Sequence, residues 1–384
     1  MSHSFSEKIL QFIHTVLIVE YDDEAFDTLA LQLFQYQFEK NAIYRSLCQQ
    51  QGIAPDRVAS WREIPAVTTS AFKAVALTCF PPQEAVVVFH TSGTTQKCAG
   101  KHYFCTLDFY RAAMLRSFAA YCIGDFGLRI ADKRHSAIRN PQSAIRMLFL
   151  GPTAEHFPHS SLGYMFSEIR DEFGDEESAV FFNPQGVDVI GLQAALDKAS
   201  HEHAPVFILG TALALLEVME KFAQQGRKFQ LPAGSRILDT GGYKGRRREV
   251  PRDEFQRQLV TTFGVPKEYL LNEYGMTELS SQFYASSFPG TAMRDKQLSA
   301  FRPSHFPPPW VRVAAADPKT LEILPEGEIG LLRIFDLANV DSVMAIQTED
   351  LGHAWQDRLE LLGRATGAEL RGCSLLTEAI VKNS

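Results

Sequence analysis

A chain of 384 residues with 45% apolar and 22% charged side chains has ordinary globular composition and enough length to bury a substantial core. Its formal charge of −7 leaves no excess of Lys and Arg to neutralise nucleic-acid phosphates, which argues against a nucleic-acid partner. The most apolar window, Phe207–Leu216, falls short of the roughly 20 residues a membrane helix needs, and the N-terminus lacks a basic export region. No membrane span is expected, and a cytoplasmic location is.

In chain order, residues 5–50 place Ile9, Phe12, Ile13 and Val16, then Leu29, Leu31, Leu33, Phe34 and Phe38, at helical spacing around a break at Asp22-Asp23-Glu24. That periodicity predicts two or three amphipathic helices. Short apolar runs at 85–89, 146–150, 178–182, 205–210 and 235–239 read as strands, with Leu192–Leu196 and Ala212–Phe222 as helices among them. Strands alternating with helices predict an α/β fold with a mostly parallel, helix-covered sheet. Beyond the proline-rich 303–309 stretch, alternating runs at 311–313 and 330–334 flank a turn at Pro325–Glu328 and predict antiparallel β structure. The expected organisation is an N-terminal helical part (1–80), an α/β core (81–300) and a β-rich region with a tail (301–384). Cysteines 48, 79, 98, 105, 122 and 373 show no C-x-x-C spacing and read as free thiols in a reducing compartment.

The 85–89 run leads into His90-Thr91-Ser92-Gly93-Thr94-Thr95-Gln96-Lys97-Cys98-Ala99-Gly100-Lys101. A loop of this kind at a strand end turns backbone N–H groups, hydroxyls and ammonium groups onto a polyphosphate. It is not a Walker A loop: Gly93 and Gly100 enclose six residues rather than four, and His102 stands where Ser or Thr should follow the lysine. Asp239-Thr240-Gly241-Gly242-Tyr243-Lys244-Gly245 sets adjacent glycines at a strand end, where a flat ligand can approach the backbone. Asn272-Glu273-Tyr274-Gly275-Met276-Thr277-Glu278 offers an aromatic face, a hydroxyl and a carboxylate within five residues. Gln347-Thr348-Glu349-Asp350-Leu351-Gly352 reads as an acidic turn suited to a diol, and Gly363-Arg364 leads to Gly372-Cys373-Ser374.

Each feature also has a bland reading. Gly241-Gly242 can be a simple turn, Tyr274 core, Glu278 a helix cap, Asp350 a turn former and Cys373 a small buried hydrophobe. Lys244–Arg248 reads as solvated basic surface, and His201-Glu202-His203 as an incidental loop triplet.

The order Thr-Ser-Gly-Thr-Thr, Gly-Gly, Tyr-Gly-Met-Thr-Glu, Glu-Asp-Leu-Gly, Gly-Arg resembles the adenylate-forming enzymes, the acyl-CoA-synthetase and luciferase superfamily. Within it the chain most resembles the LuxE-type acyl-protein synthetases, through His159–Met165, Thr240–Gly245 and Gly367–Ser374. The resemblance implies the superfamily's large domain. Only twenty residues follow Arg364, so the mobile C-terminal domain is expected to be absent. It implies ATP-dependent activation of a fatty or other carboxylic acid, then transfer to Cys373 as a thioester for an acyl-reductase or acyl-carrier partner. Thr91, Ser92, Gly93, Thr94 and Thr95 would hold phosphates, with Thr277 and Glu278 near them and Glu278 at Mg²⁺. Gly241, Gly242, Tyr274 and Gly275 would form the adenine pocket, Asp350 would accept from the ribose hydroxyls, and Arg364 would reach ribose or α-phosphate. Gln96 replaces the usual glycine after Thr-Thr, and Glu349 stands where many relatives have Gly. The alternatives are an acyl- or aryl-CoA or carrier-protein ligase that uses an external thiol, and a non-catalytic nucleotide- or acyl-binding scaffold.

Overall fold

The helical periodicity of the first fifty residues becomes α1 (His3–Thr15), α2 (Asp23–Lys40) and α3 (Ala42–Gln50) in the computed structural model. It describes residues 3–16, 18, 20–91, 99–123, 145–241, 250–285, 304–365, 377 and 380. Asp22, at the sequence break, is the N-cap of α2, and its carboxylate accepts the Ala25 N–H at 3.0 Å. The strands are β1 (Val67–Thr68), β2 (Val87–His90), β3 (Lys101–Phe104), β4 (Arg146–Leu150), β5 (Ala179–Val180), β6 (Phe182–Asn183), β7 (Gly186–Val187) and β8 (Val206–Thr211). They continue as β9 (Arg236–Thr240), β10 (Leu270–Tyr274), β11 (Phe283–Ala285), β12 (Ser304–His305), β13 (Val311–Ala316), β14 (Ile329–Asp336), β15 (Ala345–Ala354) and β16 (Leu359–Arg364).

One compact unit gathers Met1–Ser117, Met276–Phe283 and Ser299–Ser384. Its sheet runs β12-β16-β15-β14-β13 with antiparallel neighbours, and β1 adds to β15 in parallel register, Val67 opposite Ile346. The core centres on Trp61, whose ring lies 4.7 Å from Phe335 and 5.9 Å from Phe26. Arg312 is buried beneath Asp23, which accepts its Nε–H at 2.8 Å, with the guanidinium 4.4 Å from the Phe26 ring centre. Here the structure corrects one expectation. Gln347–Gly352 is not a turn but lies inside the ten-residue β15.

The 85–89 run also differs from its reading as a buried strand of the parallel sheet. It becomes β2, which among the described residues pairs with β3 alone in an antiparallel ribbon, and Val86 is 66% exposed.

The second unit, Phe118–Gly275 with Tyr284–Leu298, is built on the order β11-β10-β9-β8-β4-β5. From β10 to β5 every pairing is parallel, as the alternation of strands and helices predicts. Helices Ser161–Phe173, Val189–Glu202, Ala212–Gln224 and Arg252–Phe263 connect successive strands of this ladder. The apolar residues of β4, β8 and β9 are buried, as strands covered on both faces must be, while Ala179 and Val180 of the edge strand β5 are half-buried. Leu148, Ile208, Ile237, Leu215, Val218, Phe222 and Phe263 belong to one contiguous core. His201 and Glu202 close a helix rather than sitting in a loop, and His203 caps it in the left-handed conformation. No helix among the described residues is long and apolar enough to cross a membrane.

Candidate active site

In the first unit, the turn after Gly275 presents Thr277 and Glu278 on a backbone held by buried side chains. The ring of His102 is buried and its Nδ1 lies 2.8 Å from the Thr277 carbonyl oxygen. A carbonyl only accepts, so the proton is on Nδ1, and burial keeps the ring neutral by lowering its pKa to about 4. Asn339 Nδ2 donates to the Glu278 carbonyl at 2.8 Å. Asp336 accepts the N–H groups of Ser280 and Ser281 at 3.1 and 2.9 Å, while Trp310 Nε1 donates to the Ser281 hydroxyl at 3.0 Å. Burial pushes the Asp336 carboxyl up to about 6 even though these donors favour its charged form. Glu278 itself is 6% exposed.

The neck of the preceding loop is fastened by Thr91. Its N–H donates to the Gly100 carbonyl at 2.9 Å, and its hydroxyl oxygen accepts the Gly100 N–H at 2.7 Å. Ser92, Gly93, Thr94, Thr95, Lys97 and Cys98 lie outside the described residues, as do Gly242, Lys244–Arg248, Arg371 and Cys373.

Asp350 and Arg364 are direct cross-strand partners of β15 and β16, on the same face of the ladder. Arg364 Nε lies 3.5 Å from Asp350 Oδ1, and its Nη1 lies 3.7 Å from Glu349 Oε2. Pairing runs Asp350 to Arg364 and Leu351 to Gly363, then Gly352 to Leu361, so Leu362 is one extra residue on β16. Gly363 takes φ +135° at this bulge, a value side chains rarely adopt. With Arg364 side chain 63% exposed, its ion pairs are worth at most about 1 kcal/mol, so a ligand hydroxyl can replace them at little cost.

A further hydroxyl cluster lies in this unit. Thr377 Oγ1 is 2.7 Å from Thr68 Oγ1 and 2.6 Å from Ser70 Oγ, and Ile380 is buried.

In the second unit, Gly241 and Tyr274 follow paired strand ends, since Thr240 of β9 is opposite Glu273 of β10. Gly241 has φ +70° with open space around its Cα, so its glycine serves the backbone turn. Thr240 donates its hydroxyl proton to the buried Glu273. Burial, reinforced by nearby Asp239, raises Glu273 to about 7, with the Thr240 hydroxyl pulling the other way. Asp239 accepts from Arg252 Nη1 at 2.6 Å and from Asn272 Nδ2 at 2.8 Å.

Sequence reasoning brought Asp350 together with Arg364, and Gly241 with Tyr274. It missed the supports, although Asp239, Asn272 and Glu273 stood inside the quoted motifs. For His102, Asp336 and Asn339 no local signal exists, because each acts on a turn distant in sequence. Thr277 and Glu278 offer one hydroxyl and one carboxylate, hard oxygen donors that suit Mg²⁺ arriving on a triphosphate. Among the described residues no group of three or more His, Cys, Asp or Glu side chains is placed to hold a metal.

The family model for LuxE acyl-protein synthetase matches residues 189–381, half the chain, a span that includes Gly241, Tyr274, Glu278, Asp350, Arg364 and Cys373. The chain belongs to the LuxE acyl-protein synthetase family. This LuxE-family chain is 22% identical over 353 residues to the long-chain-fatty-acid–luciferin-component ligase of Vibrio harveyi, covering 89% of this chain and 84% of the relative. It is 22% identical over 376 residues to the ligase of the same name from Aliivibrio fischeri, covering 95% and 91%. Among solved structures it resembles a 2-hydroxyisobutyryl-CoA ligase in the postadenylation state with 2-HIB-AMP. There the TM-score is 0.60 at 13% identity, over 89% of this chain and 67% of that one. It spans about half (49%) of ATP-bound MatB from Rhodopseudomonas palustris, with TM-score 0.48, 16% identity and 74% of this chain covered. The fold is that of the large domain of adenylate-forming enzymes.

Proposed function

We propose that this chain activates a long-chain fatty acid with ATP and then carries the acyl group on its own Cys373. The observation that carries this reading is the Asp350–Arg364 pair, set side by side on β15 and β16 within the span matched by the LuxE model. The 2-hydroxyisobutyryl-CoA ligase that shares this fold is solved with 2-HIB-AMP, an acyl-adenylate, which supports the use of ATP.

In the first half-reaction a carboxylate oxygen attacks the α-phosphorus, the bond to the β-phosphate breaks, and acyl-adenylate and pyrophosphate result. Both reactants are anionic, so the site must offset charge. Thr91 to Thr95 hold the β- and γ-phosphates, the Thr277 hydroxyl donates to them, and the Glu278 carboxylate is the metal ligand. Mg²⁺, when bound, supplies charge neutralisation at the phosphates. Tyr274 stacks on adenine, with Gly241, Gly242 and Gly275 leaving room for the ring. Asp350 accepts from the ribose hydroxyls, and Arg364 donates to ribose or α-phosphate.

In the second half-reaction the Cys373 thiolate attacks the acyl carbonyl. The bond to the AMP oxygen breaks, AMP leaves, and the thiol proton passes to solvent. A thioester keeps the acyl group transferable, which fits delivery to a reductase or carrier protein in the cytoplasm.

The test is incubation with Mg·ATP and a fatty-acid series, followed by peptide mapping. Acyl mass on Cys373 is expected, and Cys373→Ala should form acyl-adenylate yet take no covalent acyl group. Mass that appears only on added coenzyme A or carrier protein would instead make the chain a ligase for an external thiol.

A further inference from the structure

The Thr277–Glu278 turn has no regular secondary structure of its own to fix it. Its geometry is imposed by side chains from elsewhere in the same unit, and His102 is the one best connected to the other phosphate-facing element. His102 lies on β3, two residues after Gly100, whose N–H and carbonyl close the neck of the Thr91–Gly100 loop. The strand that leaves that loop therefore also grips the carbonyl of Thr277, 175 residues further along. The ring is fixed by packing as well, with Phe104 at 4.2 Å and Phe72 at 5.6 Å between centroids.

We propose that His102 is a positioning residue, which couples the phosphate loop to Thr277 and Glu278 by donating its Nδ1–H to the Thr277 carbonyl. The inference rests on the adenylating reading above and adds a residue that the motif itself does not contain. With a buried ring that burial keeps neutral, the contact is a directed hydrogen bond to a carbonyl and needs no charge. The role requires a donor at the δ position of the side chain and nowhere else. Asn339, donating to the next carbonyl in the turn, is the companion support.

That requirement gives a matched pair of variants. In His102→Asn the amide nitrogen falls near the place of Nδ1, whereas in His102→Gln it falls near the place of Nε2. Gln is nearer to His in volume, so a residue needed only to fill the core would tolerate Gln better. The measurements are pyrophosphate exchange rate and, by calorimetry, the increase in ATP affinity on adding Mg²⁺. Supports of this kind typically matter about 10- to 100-fold. His102→Gln should lower kcat for exchange at least about tenfold and lose the Mg²⁺-dependent gain, with KM for the fatty acid unchanged. His102→Asn should stay within about threefold of wild type on both counts. Asn no better than Gln, whether both are active, both impaired or both unfolded, overturns the inference. Glu278→Gln separates the two levels. If it keeps the Mg²⁺-dependent gain, the metal reading of Glu278 fails. If it loses the gain while His102→Gln keeps it, only the role of His102 fails.

Discussion

Glu273 carries a property that the motif around it does not advertise. It is buried one residue before Tyr274, bound to Thr240, with Asp239 close enough to raise it and Arg252 holding Asp239. Its folded pKa of about 7 lies above the ordinary 4.5, so the folded state binds the proton more tightly than the unfolded chain. The stabilisation is therefore complete below pH 4.5 and lost as pH rises through 7, a total on the order of 3 kcal/mol. Glu273→Gln, which keeps shape and removes titration, should flatten the fall in unfolding temperature between pH 5 and 8. Parallel wild-type and variant melting curves across that range would show that Glu273 does not set the slope.

At the scale of elements, legibility followed the range of the interactions. β4 and β8 declared themselves because each is a nearly continuous apolar run buried in the sheet, whereas β10, with Asn272 and Glu273, carries no such run. β15 misled because its middle is polar yet buried. Gln347 accepts Arg333 Nε–H at 2.8 Å and Thr348 donates to the Leu332 carbonyl at 2.7 Å, pairings that no local pattern reveals. Likewise β1 is two residues long and is defined only by its partner Ile346–Gln347, far along the chain. That short strand bears on the proposed transfer. Thr68 of β1 binds Thr377, four residues beyond Cys373, so at most about 14 Å of extended chain separates the proposed acceptor from this contact. Thr377→Val should leave pyrophosphate exchange intact and slow acylation of Cys373 several-fold, whereas Thr377→Ser should acylate normally. Equal acylation rates for Val and Ser would remove Thr377 from the transfer step.

For the whole molecule, the sequence disclosed the fold class through its alternation of strands and helices, and the family through the order of its motifs. The division of the chain was far less readable. Met276–Phe283 joins the unit of the N- and C-terminal regions although it follows Tyr274-Gly275 without a break. Such an arrangement depends on contacts distant in sequence, the same reason that His102, Asp336 and Asn339 escaped notice.

The extra residue on β16 works as a frame-setter for the chemistry. If the pairing of Gly352 with Leu361 continued without Leu362 as an unpaired insertion, the present Arg364 position would meet Glu349, and its side chain would point through the opposite face. A single uncounted residue thus decides which of two neighbouring acids shares a face with the arginine. Inserting one Ala between Gly363 and Arg364 should leave a folded hairpin with the arginine opposite Glu349 on the other face and pyrophosphate exchange reduced at least about tenfold, whereas deleting Leu362 closes the bulge and keeps Asp350 opposite Arg364. Leu362→Ala keeps the count and should retain exchange. The reading frame of a two-stranded ladder, more than the identity of the bulged side chain, is what evolution would have to preserve here.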